Sequence, residues 1–331
     1  MKREDVLKIQ GAEVCAGNAG VIKLPLSEFR KVMEGLRNDP HSPMDFLREI
    51  VGMDWGEEGL GAVYFMESTV SGDTIAVRTA TTDREQPVLP TVSDLWKTAL
   101  IKEREVYDFF GILFEGHPDM RRLFLREDWI GWPLRKDYDM KSNPLRLDNE
   151  INADITKEYR LMPDGTLKGF DNKVFNENDF VVSMGPQHPS THGALRMRIA
   201  LDGEIVKKVD PVLGYIHRGI EKMNESLTYP QTLGMTDRLD YLSAHQSRHA
   251  LCMCIEQAAG IEISDRAKYI RTIMDELQRI DSHLLFYSCL VLDMGAMTPF
   301  FYGFREREMV LNIFEETTGG RLIQHYNVIG G

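Results

Sequence analysis

The stretch from Met184 to Lys222 constrains the fold of this chain more than any other part of its sequence. It begins with MGPQHPSTHG, in which His188 and His192 lie among Pro, Ser, Thr and Gly. This is the composition of a turn, so both imidazoles are expected on a loop rather than packed on an apolar face. The sequence therefore predicts a loop that presents two histidines.

A strand pair is predicted directly after this loop. Apolar residues alternate with two arginines over Leu195–Leu201, which is the period of a half-buried strand. Asp202-Gly203 is a hairpin signal, and a second strand is expected toward Val209. The charged segment HRGIEK at His217–Lys222 then opens a helix.

Both motifs of this stretch resemble the D-subunit family, or forty-nine-kilodalton family, of the proton-pumping NADH:quinone oxidoreductase, respiratory complex I. The family's histidine loop, G-P-Q-H-P-S-T-H-G, is present at Gly185–Gly193, and its second signature, H-R-G-x-E-K-x-x-E, at His217–Glu225. The alternative is a loop with two solvated histidines before a salt-bridged helix start. A match over nine consecutive loop residues, followed by the second signature, disfavours that alternative.

Length and charge narrow the class of protein. The 331 residues allow two domains, and 43% hydrophobic residues suffice for their cores. A net charge of −12 disfavours binding to the phosphate backbone of nucleic acid. The apolar run Leu284–Leu292 is far shorter than a membrane span, and the first residues lack the apolar core of a signal peptide. The sequence therefore predicts a soluble, cytoplasmic chain.

The four cysteines give no sign of a metal site. Cys15, Cys252, Cys254 and Cys289 are scattered, and no C-x-x-C occurs. Cys252 and Cys254 are two positions apart on a predicted helix, so they point to different faces. We interpret all four as reduced, mostly buried thiols, and we predict neither an iron–sulfur nor a zinc site.

The N-terminal part of the chain predicts a small α/β or α+β module. Helices are expected at Ser27–Leu36, Ser42–Val51 and Ser93–Leu100, and strands at Gly61–Thr69 and Thr74–Thr82, where a hairpin joins them. Strands that alternate with helices favour a layered sandwich of the two.

A charged run in this module resembles the C-subunit family, or thirty-kilodalton family, of the same complex. It begins with E-R-E at Glu103–Glu105, continues with Asp108 beside apolar residues, and has His117 and Arg121 at the offsets of the family signature. The alternative is a solvated helix face whose charges pair with one another. The resemblance implies a scaffold without a cofactor, so no catalysis is assigned to this module.

Between the two motif regions the composition becomes polar. Residues 141–178 contain Pro144, Pro163, Gly165 and Gly169, which is typical of a linker. Some bacteria carry the C and D subunits as one fused chain, which this sequence resembles, and tethering raises the effective concentration of two modules that dock. The predicted division is residues 1–140 for the C-subunit-like module, 141–178 for the linker, and 179–331 for the N-terminal part of the D-subunit-like module.

Three helices are predicted after the hairpin. The first is Arg238–Ala259, the second begins after an N-cap at Ser264 and ends near Asp293, and the third begins at Thr298-Pro299 and stops at Gly319-Gly320. By resemblance, this helical module is related to the large subunit of nickel–iron hydrogenases. The expected fold class is therefore α+β, with a small α/β module, a β-hairpin and a mainly helical module.

Reduction of a quinone to a quinol takes two electrons and two protons. The site therefore needs hydrogen-bond donors for two ring oxygens and a route by which the donors recover protons. A tyrosine and a histidine suit these roles, and an acid beside the histidine fixes its tautomer and favours its protonated form. By resemblance, these roles fall on Tyr241, His192 and Asp293, with His188 as the weaker candidate for quinone binding. The alternative for Tyr241 is an ordinary surface or core tyrosine of a helix.

Two residues are placed by resemblance near the terminal iron–sulfur cluster of a partner subunit. Arg238 is expected to tune the cluster electrostatically. Ile323 occupies the position at which many relatives carry a histidine in a G-x-R-x-H run. Isoleucine cannot take up a proton when the cluster is reduced, so a lower potential with little pH dependence is expected, which favours menaquinone over ubiquinone. The alternative is that His325 substitutes for the missing histidine.

The resemblance implies a subunit that forms one wall of the quinone cavity and passes electrons from a partner's iron–sulfur cluster to quinone. The clusters and FMN then belong to partner subunits of the peripheral arm, which docks on the membrane arm. The expected location is the cytoplasmic side of the bacterial inner membrane, as a peripheral protein. The D-subunit family continues beyond the match, so this chain is expected to be a fragment of a longer product. The sequence names neither the electron donor nor the pumping route.

Two other functions stay open at this stage. A large subunit of a membrane-bound nickel–iron hydrogenase needs cysteine thiolates as metal ligands, and the segment His217–Glu221 contains none. A non-catalytic assembly subunit predicts that the histidine loop tolerates substitution. Metal analysis tests the first alternative, and a substitution of His192 tests the second.

Overall fold

A computed structural model describes residues 6–9, 11–15, 20–126, 129–139, 155–188 and 191–331. The chain divides into two compact units, Met1–His217 and Arg218–Gly331. This division falls later in the chain than the start of the predicted module 179–331, and the boundaries of the family modules stay a prediction. Among the described residues, no helix combines the length and the apolar character needed to cross a membrane.

A five-stranded sheet forms the centre of the first unit, with its core packed against helices. Its elements are β1 (Glu13–Val14), β2 (Val21–Lys23), α1 (Leu26–Arg37), β3 (Phe46–Asp54), β4 (Leu60–Glu67) and β5 (Thr74–Thr81). The strand order is β1-β2-β5-β4-β3, and only the pair β2 and β5 is parallel within this sheet. Helix α1 buries Phe29, Val32, Met33 and Leu36, which lie on one helical face. The predicted first helix and the predicted hairpin are confirmed.

The predicted helix Ser42–Val51 is wrong, because strand β3 occupies most of this segment. The pairing of β3 with β4 shifts between Leu47 and Glu49, as at a β-bulge. The buried residues Leu47 and Ile50 are therefore three positions apart instead of two. That spacing imitates the period of a helix and explains the error.

The predicted helix Ser93–Leu100 is also misplaced. The next elements are β6 (Val88–Pro90), α2 (Ala99–Phe110) and β7 (Leu113–Glu115), with β6 and β7 paired in parallel. Ser93 and Asp94 look like the start of a helix, but the Asp94 carboxylate accepts two hydrogen bonds from Arg30, at 2.7 and 2.5 Å. The helix begins later and contains the E-R-E run.

The described part of the predicted linker contains a β-hairpin. Strands β8 (Ile155–Leu161) and β9 (Leu167–Lys173) pair antiparallel, and Pro163 and Gly165 belong to the turn between them. Tyr159 packs against the core of the first unit, and its N–H donates to the carbonyl of Met120 at 3.2 Å. Residues 140–154, which include the start of the predicted linker, lie outside the described residues.

The hairpin predicted after the histidine loop is confirmed. The elements are β10 (Phe180–Met184), β11 (Gln187–His188), β12 (Gly193–Ala194), β13 (Arg196–Asp202) and β14 (Ile205–Val212). Strand β13 lies between β10 and β14 in an antiparallel sheet. The buried side chains of β13 are those of Arg196, Arg198 and Ala200. The face of β13 that carries the two arginines is therefore the buried one. Asp210 on β14 compensates the charge of Arg198 there, at a distance of 2.5 Å.

The second unit is helical in its described elements. These are α3 (Ile220–Asn224), α4 (Tyr229–Thr236), α5 (Ala244–Ala259), α6 (Asp265–Asp293) and α7 (Met297–Thr318). The predicted helix start at Arg238 is wrong, because residues 237–243 form turns before α5. The predicted N-cap at Ser264 is confirmed, since its hydroxyl accepts the N–H of Ala267 at 3.3 Å. The third helix starts at Met297, one residue before the predicted start at Thr298, and is ended by Gly319 in a left-handed conformation.

Candidate functional site

The histidine loop belongs to the first unit. His188 lies on β11 and pairs with Gly193 of β12, and the Thr191 hydroxyl lies 2.8 Å from the carbonyl oxygen of His188. His188 and His192 are both exposed, as predicted. The backbone of His192 has a φ of 49°, a left-handed conformation that residues other than glycine adopt mainly at functional or strained positions. Pro189 and Ser190 lie outside the described residues.

Tyr241 and Asp293 belong to the second unit. Tyr241 lies in the turn between α4 and α5, not on a helix, and 46% of it is exposed, so it is not a core tyrosine. Asp293 is the exposed last residue of α6. Because His192 belongs to the other unit, the predicted convergence of the three side chains stays a prediction.

The segment after α7 holds the residues predicted to lie near a cluster. Ile323 is half-buried, and His325 has a left-handed backbone with a φ of 48°. The His325 Nδ1 lies 2.5 Å from the Asp237 carboxylate and 3.2 Å from Arg248. The guanidinium of Arg238 donates to the carbonyl of Gly234 at 2.7 Å. His325 is therefore anchored to the buried carboxylate that directly precedes Arg238 in the chain.

The buried ion pairs of the second unit were not expected from the sequence. The Arg271 guanidinium donates to both carboxylate oxygens of Glu256, at 2.9 and 2.6 Å, and both residues are buried. Arg271 thereby lowers the pKa of the Glu256 carboxyl. Arg307 pairs with the buried Asp281 through a single hydrogen bond, which its guanidinium donates to the Oδ2 of Asp281 at 3.1 Å. No apolar stripe marked this face of α6 in the sequence, because its buried side chains include Arg271, Gln278 and Asp281, whereas Ile273 and Ile280 are exposed.

The interpretation of the charged run from Glu103 to Asp108 as a solvated helix face is wrong for two of its charges. Glu103 and Asp108 on α2 are fully buried. The backbone N–H of Val92 donates to Glu103 at 2.7 Å, and burial raises the pKa of this carboxyl to about 8. His117 is also buried against this helix, with its Nε2 at 3.2 Å from the carbonyl oxygen of Leu100, and burial lowers its pKa.

Two of the cysteines lie on α5 and face different sides of it, as predicted. Cys252 is buried, and burial raises the pKa of its thiol. The expectation of mostly buried thiols is wrong, because Cys15 and Cys289 are only half-buried and Cys254 is exposed. In the part of the chain that the structure describes, no three His, Cys, Asp or Glu side chains are grouped so that they could hold a metal ion.

Two models of known protein families match parts of this chain. Residues 22–144 match the family described as "Respiratory-chain NADH dehydrogenase, 30 Kd subunit", which is the C-subunit family. Residues 293–331 match "Respiratory-chain NADH dehydrogenase, 49 Kd subunit", which is the D-subunit family. One polypeptide therefore carries regions of both families of respiratory complex I.

Curated relatives narrow this class to fused subunits. The chain is 63% identical over 310 residues to the C/D subunit of NADH-quinone oxidoreductase from Phocaeicola vulgatus, covering 94% of this chain and 59% of the relative. It is 64% identical over 307 residues to the C/D subunit of Bacteroides thetaiotaomicron (89% and 58%), and 36% identical over 327 residues to that of a Sulfurihydrogenibium species (94% and 56%). These matches support the predicted resemblance to a fused C/D subunit. It spans between 56% and 59% of the length of these relatives.

Proposed function

We propose that this chain forms one wall of the quinone cavity in an NADH:quinone oxidoreductase and serves electron transfer from a partner's iron–sulfur cluster to quinone. The observation that carries the proposal is the presence of both family matches in a chain 63% identical to a protein named as a C/D subunit. In this proposal the chain binds no cofactor of its own. The clusters and FMN belong to partner subunits, and the assembly lies on the cytoplasmic side of the inner membrane. The relation of the helical unit to hydrogenase large subunits stays a prediction.

The proposed site uses three side chains for proton and hydrogen-bond chemistry. The Tyr241 phenol donates to one quinone oxygen, and the His192 imidazole donates to the other. Asp293 pairs with His192 and favours its protonated form. The exposure of all three residues supports the proposal, because a side chain packed in its own unit cannot reach a substrate. His188 assists quinone binding from the same loop as His192.

Tyr241→Phe is expected to lower quinone reduction by about 100-fold or more, since it removes a proton donor from the reaction. The partner clusters should still be reduced by NADH. The measurement is NADH:quinone turnover of the assembled complex, with the reduced clusters followed by electron paramagnetic resonance. Tyr269→Phe is the matched control, because Tyr269 lies 75% exposed on α6 and has no role in the proposal.

Full turnover with Tyr241→Phe would contradict the proposed site. Wild-type turnover with His192→Ala as well would favour the non-catalytic assembly subunit. Nickel in the purified complex would instead favour the hydrogenase alternative.

The terminal cluster is expected to have a low potential with little pH dependence, which suits menaquinone. Ile323 carries no titrating group at the position where many relatives carry a histidine. Ile323→His should introduce a fall of potential with rising pH that approaches about 59 mV per unit. Redox titration of the cluster at several pH values measures this slope. A steep slope in the wild type that His325→Asn abolishes would show that His325 substitutes, and the Ile323 argument would fail.

A further inference from the structure

Three aromatic rings of the first unit lie stacked on one another. The ring of His217 lies 4.9 Å from that of Phe109 and 5.5 Å from that of Phe124, with interplanar angles of 18° and 25°. The two phenylalanine rings are 5.8 Å apart. Phe109 and Phe124 lie in the region that matches the C-subunit family, whereas His217 opens the second D-subunit signature. A residue of one motif is thus held by residues of the other region.

The Asp108 carboxylate fixes the segment that carries Phe124. It is fully buried, and its Oδ2 accepts the backbone N–H groups of Leu123, Phe124 and Leu125 at 3.1, 2.7 and 2.9 Å. Its Oδ1 accepts a hydrogen bond from Arg122 at 3.0 Å. A carboxylate with charge-assisted bonds to three consecutive N–H groups holds that segment in one conformation. Phe124 is therefore a fixed surface for His217.

A glycine brings the backbone before His217 against the same segment. Gly214 has a φ of 102°, and a Cβ atom at this position would lie 2.4 Å from the carbonyl oxygen of Phe124. The N–H of His217 donates to the carbonyl of Gly214 at 3.0 Å, which closes a turn. Because only glycine permits this approach, the turn delivers the imidazole onto the two phenyl rings.

We propose that Asp108, Phe109 and Phe124 are positioning residues that hold His217, the residue directly before the second unit begins at Arg218. Two of them belong to the E-R-E-V-Y-D-F-F run, to which the sequence assigns only a scaffold role. The inference deepens the proposed function and rests on it for its consequence in quinone reduction. Its structural content concerns this chain alone: the C-subunit-like region holds His217, the first residue of the H-R-G-x-E-K signature.

Phe124→Leu in the full chain tests the proposal, because it keeps an apolar side chain and removes one ring of the stack. We expect the imidazole resonances of His217 to lose their ring-current shift. We also expect the amides of residues 218–225 to exchange with deuterium at least tenfold faster. The amides of β4 and β5 should exchange as in the wild type, which shows that the unit is folded.

Three further variants separate positioning from general packing. Phe124→Tyr keeps the ring and should restore the wild-type resonances, whereas Phe46→Leu removes an exposed ring of β3 and should change nothing at His217. Asp108→Asn weakens the bonds to the backbone and should release His217 as Phe124→Leu does. Unchanged His217 resonances and unchanged exchange of residues 218–225 in both releasing variants would overturn the proposal.

Quinone turnover of the assembled complex tests the consequence of this positioning for catalysis. Phe124→Leu should lower kcat for quinone and leave reduction of the clusters by NADH intact. In Phe124→Tyr, kcat should return to the wild-type value. If Phe124→Leu turns over like the wild type, the positioning role is overturned. If instead Tyr241→Phe is fully active while Phe124→Leu releases His217, the proposed quinone site fails and the hold on His217 stands.

Discussion

Arg271→Met is expected to lower the free energy of unfolding of the second unit by about 3–5 kcal/mol. Arg271 and Glu256 are 2% and 7% exposed, so the variant leaves a carboxylate buried without its counter-ion. Arg271 also donates to the carbonyl of Val328 at 2.8 Å, and Glu256 accepts the N–H of Gly330 at 2.8 Å. The change therefore also loosens the segment that follows α7.

Urea denaturation followed by helix content measures this loss, and hydrogen exchange of α5 and α6 assigns it to the second unit. Lys268→Met is the matched control on the same helix. Lys268 pairs with Asp265 at 3.0 Å, but the two side chains are 59% and 86% exposed, so less than about 1 kcal/mol is expected. The double variant Arg271→Met with Glu256→Leu should recover part of the loss, because it removes the unpaired charge. An Arg271→Met variant as stable as Lys268→Met would contradict the prediction.

Local chemistry made several elements predictable. The turn composition around His188 and His192 gave exposed imidazoles, and Asp202-Gly203 marked the turn of the β13–β14 hairpin. The hydroxyl of Ser264 fixed the start of α6. Each of these signals acts within a few residues, so the sequence carries it without knowledge of the fold.

Long-range contacts decided the elements that were predicted wrongly. Ser93 and Asp94 resemble the start of a helix, but Asp94 pairs with Arg30, which lies 64 positions earlier in the chain. The charges of Glu103 and Asp108 are typical of a solvated helix face. Both residues are nevertheless buried, and both accept hydrogen bonds from backbone N–H groups of neighbouring segments. The strand β3 was missed because its bulge depends on pairing with β4. No local pattern contains these partners.

The sequence predicted the individual residues of the candidate site, but not the distances between them. The motifs named His192, Tyr241 and Asp293, and the structure leaves all three exposed. It places Tyr241 in a turn rather than on a helix, because Asp240 accepts the N–H of Leu242 at 3.1 Å and breaks the helical pattern. The distance between residues of two different units depends on how whole units pack. The spacing of motifs along the sequence does not encode that packing.

The stability of the first unit is expected to fall between about pH 4.5 and pH 8 through the ionisation of Glu103. Burial raises the pKa of this carboxyl from 4.5 to about 8, so in this window the folded protein keeps a proton that the unfolded chain releases. Each pH unit then lowers the free energy of unfolding by up to about 1.4 kcal/mol. Below pH 4.5 both states are protonated and this contribution vanishes, and above pH 8 both are ionised and the loss is complete.

Glu103→Gln should remove most of this fall, because glutamine stays neutral and its amide oxygen can still accept the N–H of Val92. The buried His117, whose pKa is lowered, acts in the opposite direction up to about pH 6.5, so the comparison of wild type and variant at each pH isolates Glu103. Urea midpoints at pH 5, 6.5, 8 and 9 are the measurement. Glu105→Gln is the matched control two residues along α2, since it makes the same change of carboxyl to amide at a side chain that is 31% exposed, whereas Glu103 is fully buried. The same slope in Glu103→Gln as in the wild type would show that Glu103 is already ionised in the folded protein.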